Sequence, residues 1–266
     1  MKKKILLLTL IFTMMNFTLF AREVDFTKEL NSFVDAVYLE QITSNQQLND
    51  MFQKSMDSVS QFNDEYSKNV HFARCYFFYG VKLLGSFDAS QFADVDVNAK
   101  DNGEAANQNA ADYFDKGIAF AEKALKVREG SDAYTILGHC ISLNCTAKNA
   151  SYAVANGLKI KTYAKKAMEL DRTNGTAYFL LYAQDIYAPK PFCQISKGME
   201  AYKTALSDST IHFEKYDILN MNSGIGYGNE RLKNYSEAAK YYSKALVPYP
   251  TNAGIKKLLD DVKQKM

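Results

Sequence analysis

The sequence YSEAAKYYSKALVPYP, residues 235–250, places Ala238 and Ala245 seven residues apart, with Tyr242 between them and Pro250 at the end. Two helices approach each other closely only where the facing side chains are small, so both alanines indicate contact faces of one helix. Pro250 cannot continue a helix, because it lacks a backbone N–H and clashes with the preceding turn. The stretch therefore predicts a tightly packed helix that ends in a turn before the next helix.

A similar pattern of small residues recurs three times upstream, in FDKGIAFAEKALKV (114–127), IKTYAKKAMELD (160–171) and SKGMEAYKTALSD (196–208). Each copy follows a segment in which apolar residues also have helical spacing. These preceding segments are HFARCYFFYGVKLLG (71–85), SDAYTILGHCISL (131–143) and NGTAYFLLYAQDIY (174–187). Recurrence of such pairs predicts an array of helical hairpins.

The number of residues from the glycine of the first helix to the alanine near the end of the second helix differs from hairpin to hairpin. It is 19 residues from Gly226 to Ala245, but 29 from Gly138 to Ala167 and 44 from Gly80 to residue 124. We therefore expect extra residues between the two helices of each of the first three hairpins. The predicted insertions are surface loops at 86–110 and 144–157, and a third loop that contains 187–194.

The fourth hairpin resembles the tetratricopeptide repeat (TPR) family. Gly226 stands twelve residues before Ala238, Leu232 and Tyr235 also match the TPR pattern, and the repeat over 219–252 fits the period of about 34 residues. The resemblance implies an all-α fold, an α-solenoid of TPR-like helical hairpins with long inter-helix insertions. The segment TNAGIKKLLDDVKQKM, residues 251–266, is then expected to be a C-terminal capping helix.

The third hairpin is similar to a group of exported bacterial TPR proteins. Its sequence LLYAQDIYAPKPFCQISKGMEAYKTAL has Cys193 and Gln194 where that group usually has two glycines. The TPR component associated with TRAP (tripartite ATP-independent periplasmic) transporters has this general build. The resemblance therefore implies two alternative roles. The protein either binds a partner protein or works beside the subunits of a transporter.

The N-terminus predicts export. Three lysines at residues 2–4 precede an apolar run at 5–20, and Ala21 is a plausible cleavage position, so we expect a signal peptide at 1–21. An uncleaved anchor is the alternative. The first cysteine is Cys75, so no lipid anchor is expected after cleavage, and the predicted location is periplasmic or secreted. We expect an N-terminal helical hairpin at 22–65 and the TPR-like α-solenoid at 66–266.

Charge excludes some partners. Removal of three lysines from 32 basic residues leaves 29 against 30 acidic residues, a formal net charge of −1 for the mature chain. This balance provides no basic field for nucleic acid or for an anionic membrane surface. The expected partner is a protein or peptide, or a small apolar ligand.

In TPR arrays the first helix of each hairpin lines the concave groove, so the resemblance implies a set of groove residues. Several are aromatic where TPR proteins that clamp a peptide carboxylate need lysine or asparagine, which favours an extended peptide, a helix or an apolar ligand. The alternative is that insertions close the groove and these aromatic residues are core. The groove candidates are Arg74, Phe77, Thr135, His139, Phe179, Tyr187, Ser223, Tyr227 and Arg231.

No catalytic constellation, cofactor motif or metal site is predicted. The segment HCISLNC offers His139, Cys140 and Cys145, but zinc sites need about four clustered ligands. Cys145 and Cys193 lie in the connections of consecutive hairpins, so a disulfide between them is possible. The four cysteines allow three pairings. The sequence therefore favours a protein-interaction scaffold and not an enzyme, with a small-ligand-binding accessory protein of a transport system as the alternative.

Overall fold

The computed structural model describes residues 28–85, 105–188 and 191–266. The predicted signal peptide and most of the predicted loop at 86–110 lie outside the described residues. Within the described ranges the chain is all-helical, without a strand, and contains one isolated backbone bridge between Asn174 and His212. The eleven described helices are α1 (28–38), α2 (Asn45–Ser60), α3 (Glu65–Leu84), α4 (Gln108–Val127), α5 (Ser131–Ala147), α6 (Ala150–Leu170), α7 (Gly175–Tyr187), α8 (Ile195–Ser207), α9 (Lys215–Arg231), α10 (Tyr235–Ala245) and α11 (Ala253–Lys263).

Consecutive helices pack as pairs. Helix α3 packs against α4, α5 against α6, α7 against α8, and α9 against α10, while α11 packs against α10. The first helices of neighbouring pairs also touch, since α5 contacts α3 and α7, and α9 contacts α7. The predicted all-α fold of packed helix pairs is therefore confirmed.

The small residues that predicted close packing are buried. Ala238, Ala245 and Ala167 are fully buried, and Ala205 is 3% exposed. Tyr242 fills the space between α10 and α9, because a Cβ atom built at Gly226 would lie 2.7 Å from its ring. Absence of a side chain on one helix thus makes room for a large ring on its partner.

The prediction of a second loop is wrong, because most of residues 144–157 are helical. Helix α5 continues to Ala147 and α6 begins at Ala150, so the extra residues lengthen the two helices to 17 and 21 residues. The break between them is short because the side chain of Asn149 caps α6 by accepting a hydrogen bond from the backbone N–H of Tyr152. The third predicted loop lies between α7 and α8, where residues 188 and 191–194 are not helical and residues 189–190 lie outside the described chain. At the first insertion, α4 already begins at Gln108.

The two N-terminal helices, α1 and α2, contact different regions of the chain. Helix α2 packs on α3, whereas the end of α1 contacts the C-terminal region. The Tyr249 hydroxyl donates to Asp35 Oδ1 at 3.1 Å, and Asn252 Nδ2 donates to the Tyr38 carbonyl oxygen at 3.0 Å. The ring of Tyr38 stacks on Tyr249 and Tyr216 with centroids 5.1 and 5.9 Å apart. The first and last segments of the described chain are therefore joined directly.

Candidate functional site

An apolar cavity of about 370 Å³ lies between α3, α5, α6 and α7. We call it the apolar cavity. Phe77 of α3 and the α7 residues Phe179 and Tyr187 line it, and all three are at most 8% exposed. Leu143 of α5 and Ile160 of α6 also line it. A lining of aromatic and aliphatic side chains favours the removal of apolar groups from water.

The outer wall of the apolar cavity is the first half of α6. Ala150, Ala153, Val154, Gly157 and Leu158 line it at helical spacing. The buried residues of α6, at positions 164 and 167, lie in its second half, so the first half does not pack into the core. A Cβ atom at Gly157 would meet no atom within 4 Å. The extra turns of α6 therefore form a wall of the cavity, and there is open space next to Gly157 in this wall.

The rim of the apolar cavity carries exposed apolar side chains. Val154 and Leu158 on α6 are each 71% exposed, and Phe192 in the turn before α8 is 58% exposed. All three line the cavity. Exposed apolar groups next to a cavity are typical of a binding surface.

A second cavity, of about 200 Å³, lies at the N-terminal ends of α5, α7 and α9 beside the middle of α3. We call it the polar cavity. Its charged lining residues are Arg74, Asp132, Asp171 and Glu214. Arg74 Nη2 lies 3.3 Å from Glu214 Oε1. Asp132 is in the first turn of α5, where the helix dipole favours a negative charge.

His139 of α5 lines both cavities and is 4% exposed. Its ring lies 5.0 Å from that of Phe77 and 5.5 Å from that of Phe179, between centroids. Burial, together with the positive charge of Arg74, lowers the pKa of His139 to about 3, so the imidazole is neutral near pH 7. Within the described part of the chain, its Nε2 atom has no hydrogen-bond partner.

The two cavities bring together six of the nine predicted groove residues. The apolar cavity is lined by Phe77, Phe179 and Tyr187, and the polar cavity by Arg74 and Thr135. His139 lines both.

The other three predicted groove residues, all on α9, line neither cavity. The hydroxyl of Ser223 donates to the Asn220 carbonyl oxygen within the helix. Tyr227 stacks on the ring of Tyr187 at 5.8 Å, and Arg231 Nη1 donates to the Ile186 carbonyl oxygen at 3.2 Å. Tyr227 and Arg231 therefore join α9 to α7.

The α6 wall differs from the prediction of a loop at 144–157. The signal was present: Ala150, Ala153, Val154, Gly157 and Leu158 follow the i, i+3, i+4, i+7, i+8 pattern of one helix face. The acidic lining of the polar cavity was also missed, because its members come from three separate helix ends.

The four cysteines are free thiols in the structure. Cys145 lines the apolar cavity, and burial raises its pKa to about 12, which makes it a poor nucleophile. Cys193 lies beside Arg231, whose Nη2 is 4.0 Å from the sulfur. The disulfide between Cys145 and Cys193 stays a prediction. Among the described residues, no group of three or more His, Cys, Asp and Glu side chains is arranged to hold a metal ion.

Over residues 28–85, 105–188 and 191–266, no helix combines the length and the apolar character needed to cross a membrane. No protein-family model matches the chain, and no curated protein matches it. Fold and site together define an all-helical protein of packed helix pairs with an apolar cavity beside a charged one.

Proposed function

We propose that this protein binds a small apolar ligand in the apolar cavity. The observation that carries the proposal is the cavity itself: about 370 Å³, with mostly apolar lining and few polar groups. Ligand pockets usually have volumes of about 300–1,000 Å³ and this kind of lining. A role as a TPR-like, exported accessory protein that presents such a ligand to a transport system is consistent with this site and with the sequence resemblance.

The burial of the groove residues favours a small ligand over a flat protein partner. Phe77, Phe179 and Tyr187 are 3, 8 and 6% exposed, so an extended peptide crossing the surface would reach little of their area. A ligand inside the cavity contacts the small accessible part of these rings and gains further apolar contact from the exposed side chains of Val154 and Leu158. Each Å² of apolar ligand surface removed from water contributes about 25 cal/mol, which favours a compact apolar molecule.

The test is a fluorescence titration with N-phenyl-1-naphthylamine, an apolar dye that brightens when it leaves water. We expect saturable binding to the wild type and at least about tenfold weaker binding to Gly157→Phe. The new ring enters open space, since nothing lies within 4 Å of a Cβ at this position. Ala155→Phe is the matched control, because it adds the same ring to α6 at an exposed residue outside the cavity lining.

The proposal is wrong if the dye does not bind, or if Gly157→Phe binds it as tightly as the wild type does. Circular dichroism and thermal unfolding of both variants establish that each is folded. Equal weakening by the two substitutions would likewise contradict binding inside the cavity.

A protein-interaction scaffold is the second candidate, and the exposed rim favours it. Val154, Leu158 and Phe192 would be covered by a partner that inserts an apolar side chain. For this function we expect Leu158→Asp to abolish partner binding. Gly157→Phe, in contrast, would preserve it when the contact is confined to the rim.

A further inference from the structure

The apolar cavity is uncharged over its described lining, which contains no lysine, arginine, aspartate or glutamate. Two of its titratable residues, His139 and Cys145, are neutral near pH 7, because burial lowers the pKa of the first to about 3 and raises that of the second to about 12. A charged ligand group in this cavity would lose water without gaining a counter-ion, which is costly. The lining therefore favours an uncharged ligand.

The charged side chains next to the lining residues of α6 and α7 are paired with each other. Lys161 and Asp185 directly follow the lining residues Ile160 and Gln184 in sequence, but neither of them lines the cavity. The Lys161 Nζ atom lies 3.5 Å from Asp185 Oδ1. Since this ion pair lies outside the lining, it offers no counter-ion to a ligand in the cavity.

Gln184 adds an amide group to the face of α7 that lines the apolar cavity. The lining residues of α7 follow the i, i+4, i+5, i+8, i+9 spacing of one helix face, and they are Phe179, Ala183, Gln184, Tyr187 and Ala188. The Tyr187 hydroxyl donates to the Asn220 carbonyl oxygen at 3.3 Å. Gln184 is only half-buried, and within the described chain its side-chain amide makes no hydrogen bond. A ligand in the cavity can therefore reach an amide that still has donors and an acceptor to offer.

A ligand that fills the cavity changes the surroundings of this amide. Water can satisfy the amide of Gln184 before a ligand binds, because the residue is partly exposed. A ligand without any polar group displaces that water and leaves the amide unpaired, at a cost of about 1–3 kcal/mol. A neutral hydroxyl, carbonyl or amide group on the ligand restores the hydrogen bond, since glutamine both donates and accepts.

We propose that the ligand is an uncharged molecule with an apolar body and a neutral hydrogen-bonding group that binds the side-chain amide of Gln184. This inference rests on the proposed function and names the class of ligand. The apolar lining supplies most of the affinity. Gln184 determines specificity, because it selects ligands that carry a neutral polar group.

The first test compares hexan-1-ol, hexylamine and heptanoate, which share a hexyl chain and differ in the charge of the head group. Each displaces N-phenyl-1-naphthylamine from the wild-type protein near neutral pH. We expect hexan-1-ol to bind at least about tenfold more tightly than either ion. This comparison uses the unmodified protein and so does not depend on the folding of a variant.

The second test replaces Gln184 by methionine, which has a similar length and no amide. We expect Gln184→Met to weaken binding of hexan-1-ol at least about fivefold. Binding of 1-chlorohexane, an uncharged ligand without a hydroxyl, should be retained, which also shows that the variant is folded and keeps its cavity. The control, Gln53→Met, makes the same substitution at an exposed position on α2 and should leave both affinities unchanged.

Binding of hexylamine or heptanoate as tight as that of hexan-1-ol would overturn the inference of an uncharged ligand. Equal affinities of Gln184→Met and the wild type for hexan-1-ol would overturn the role of Gln184. The proposed function would still stand in both cases, because apolar molecules bind. Failure of the dye and of all four ligands to bind would instead remove the proposed function as well.

Discussion

Gly226 and Gly157 both lie inside helices, but their surroundings differ. A Cβ atom at Gly226 would lie 2.7 Å from the buried ring of Tyr242, and the Tyr242 hydroxyl is tied to Glu230 Oε2 at 3.0 Å. A Cβ atom at Gly157 would have nothing within 4 Å. The first glycine is required by packing, whereas the second leaves room in a cavity wall.

We predict opposite effects of alanine at these two positions. Gly226→Ala should lower the free energy of unfolding by about 1–3 kcal/mol, because the methyl group forces a buried ring to move. Gly157→Ala should raise it by about 0.5–1 kcal/mol, because alanine favours the helix and meets no neighbour. Urea unfolding followed by circular dichroism measures both. A change of the same sign in the two variants would contradict this account.

Individual residues also show what the sequence could and could not predict. Ala238, Ala245 and Tyr242 predicted close helix contacts correctly, since side-chain size alone limits how near two helices can approach. The sequence left open whether Phe77 and Phe179 face a groove or belong to the core. Their burial results from ring contacts with other helices: Phe77 packs against Phe114 and His139, and Phe179 packs against His139 and Tyr202. These contacts join distant parts of the chain.

Helix α6 contains the main difference between expectation and structure. Two helices of 17 and 21 residues replace the predicted loop, and only residues 148 and 149 separate them. The side chain of Asn149 begins α6 by accepting from the backbone N–H of Tyr152 at 3.0 Å. A strong cap therefore allows the chain to restart a helix almost at once, and that helix becomes the cavity wall.

Removal of the cap should loosen the wall. We predict that Asn149→Ala lowers the free energy of unfolding by about 1 kcal/mol. Amide hydrogen exchange should become faster in the first turn of α6 and change little in α8. Asn149→Asp keeps a capping oxygen and serves as the control. Uniform acceleration across all helices, or none in α6, would show that Asn149 does not set the start of this helix.

At the scale of the whole described chain, the N-terminal helix α1 contacts the C-terminal region. Tyr38 of α1 packs on Tyr216 and Tyr249 and also lines the apolar cavity. The ion pair between Lys215 and Asp35, at 2.8 Å, reinforces this contact. Ligand binding is thus expected to depend on the N-terminal helix as well as on the helix pairs, although the two are far apart in sequence.

Photolabelling tests most directly the central claim, that the extra turns of α6 form the wall of a ligand cavity. A neutral octanol probe with a diazirine in its alkyl chain is bound, irradiated, and mapped by peptide mass spectrometry. We predict labels concentrated in 150–160 of α6 and 179–187 of α7, abolished by Gly157→Phe and retained in Ala155→Phe. Labels on α10 and α11, or a pattern unaffected by Gly157→Phe, would contradict the account.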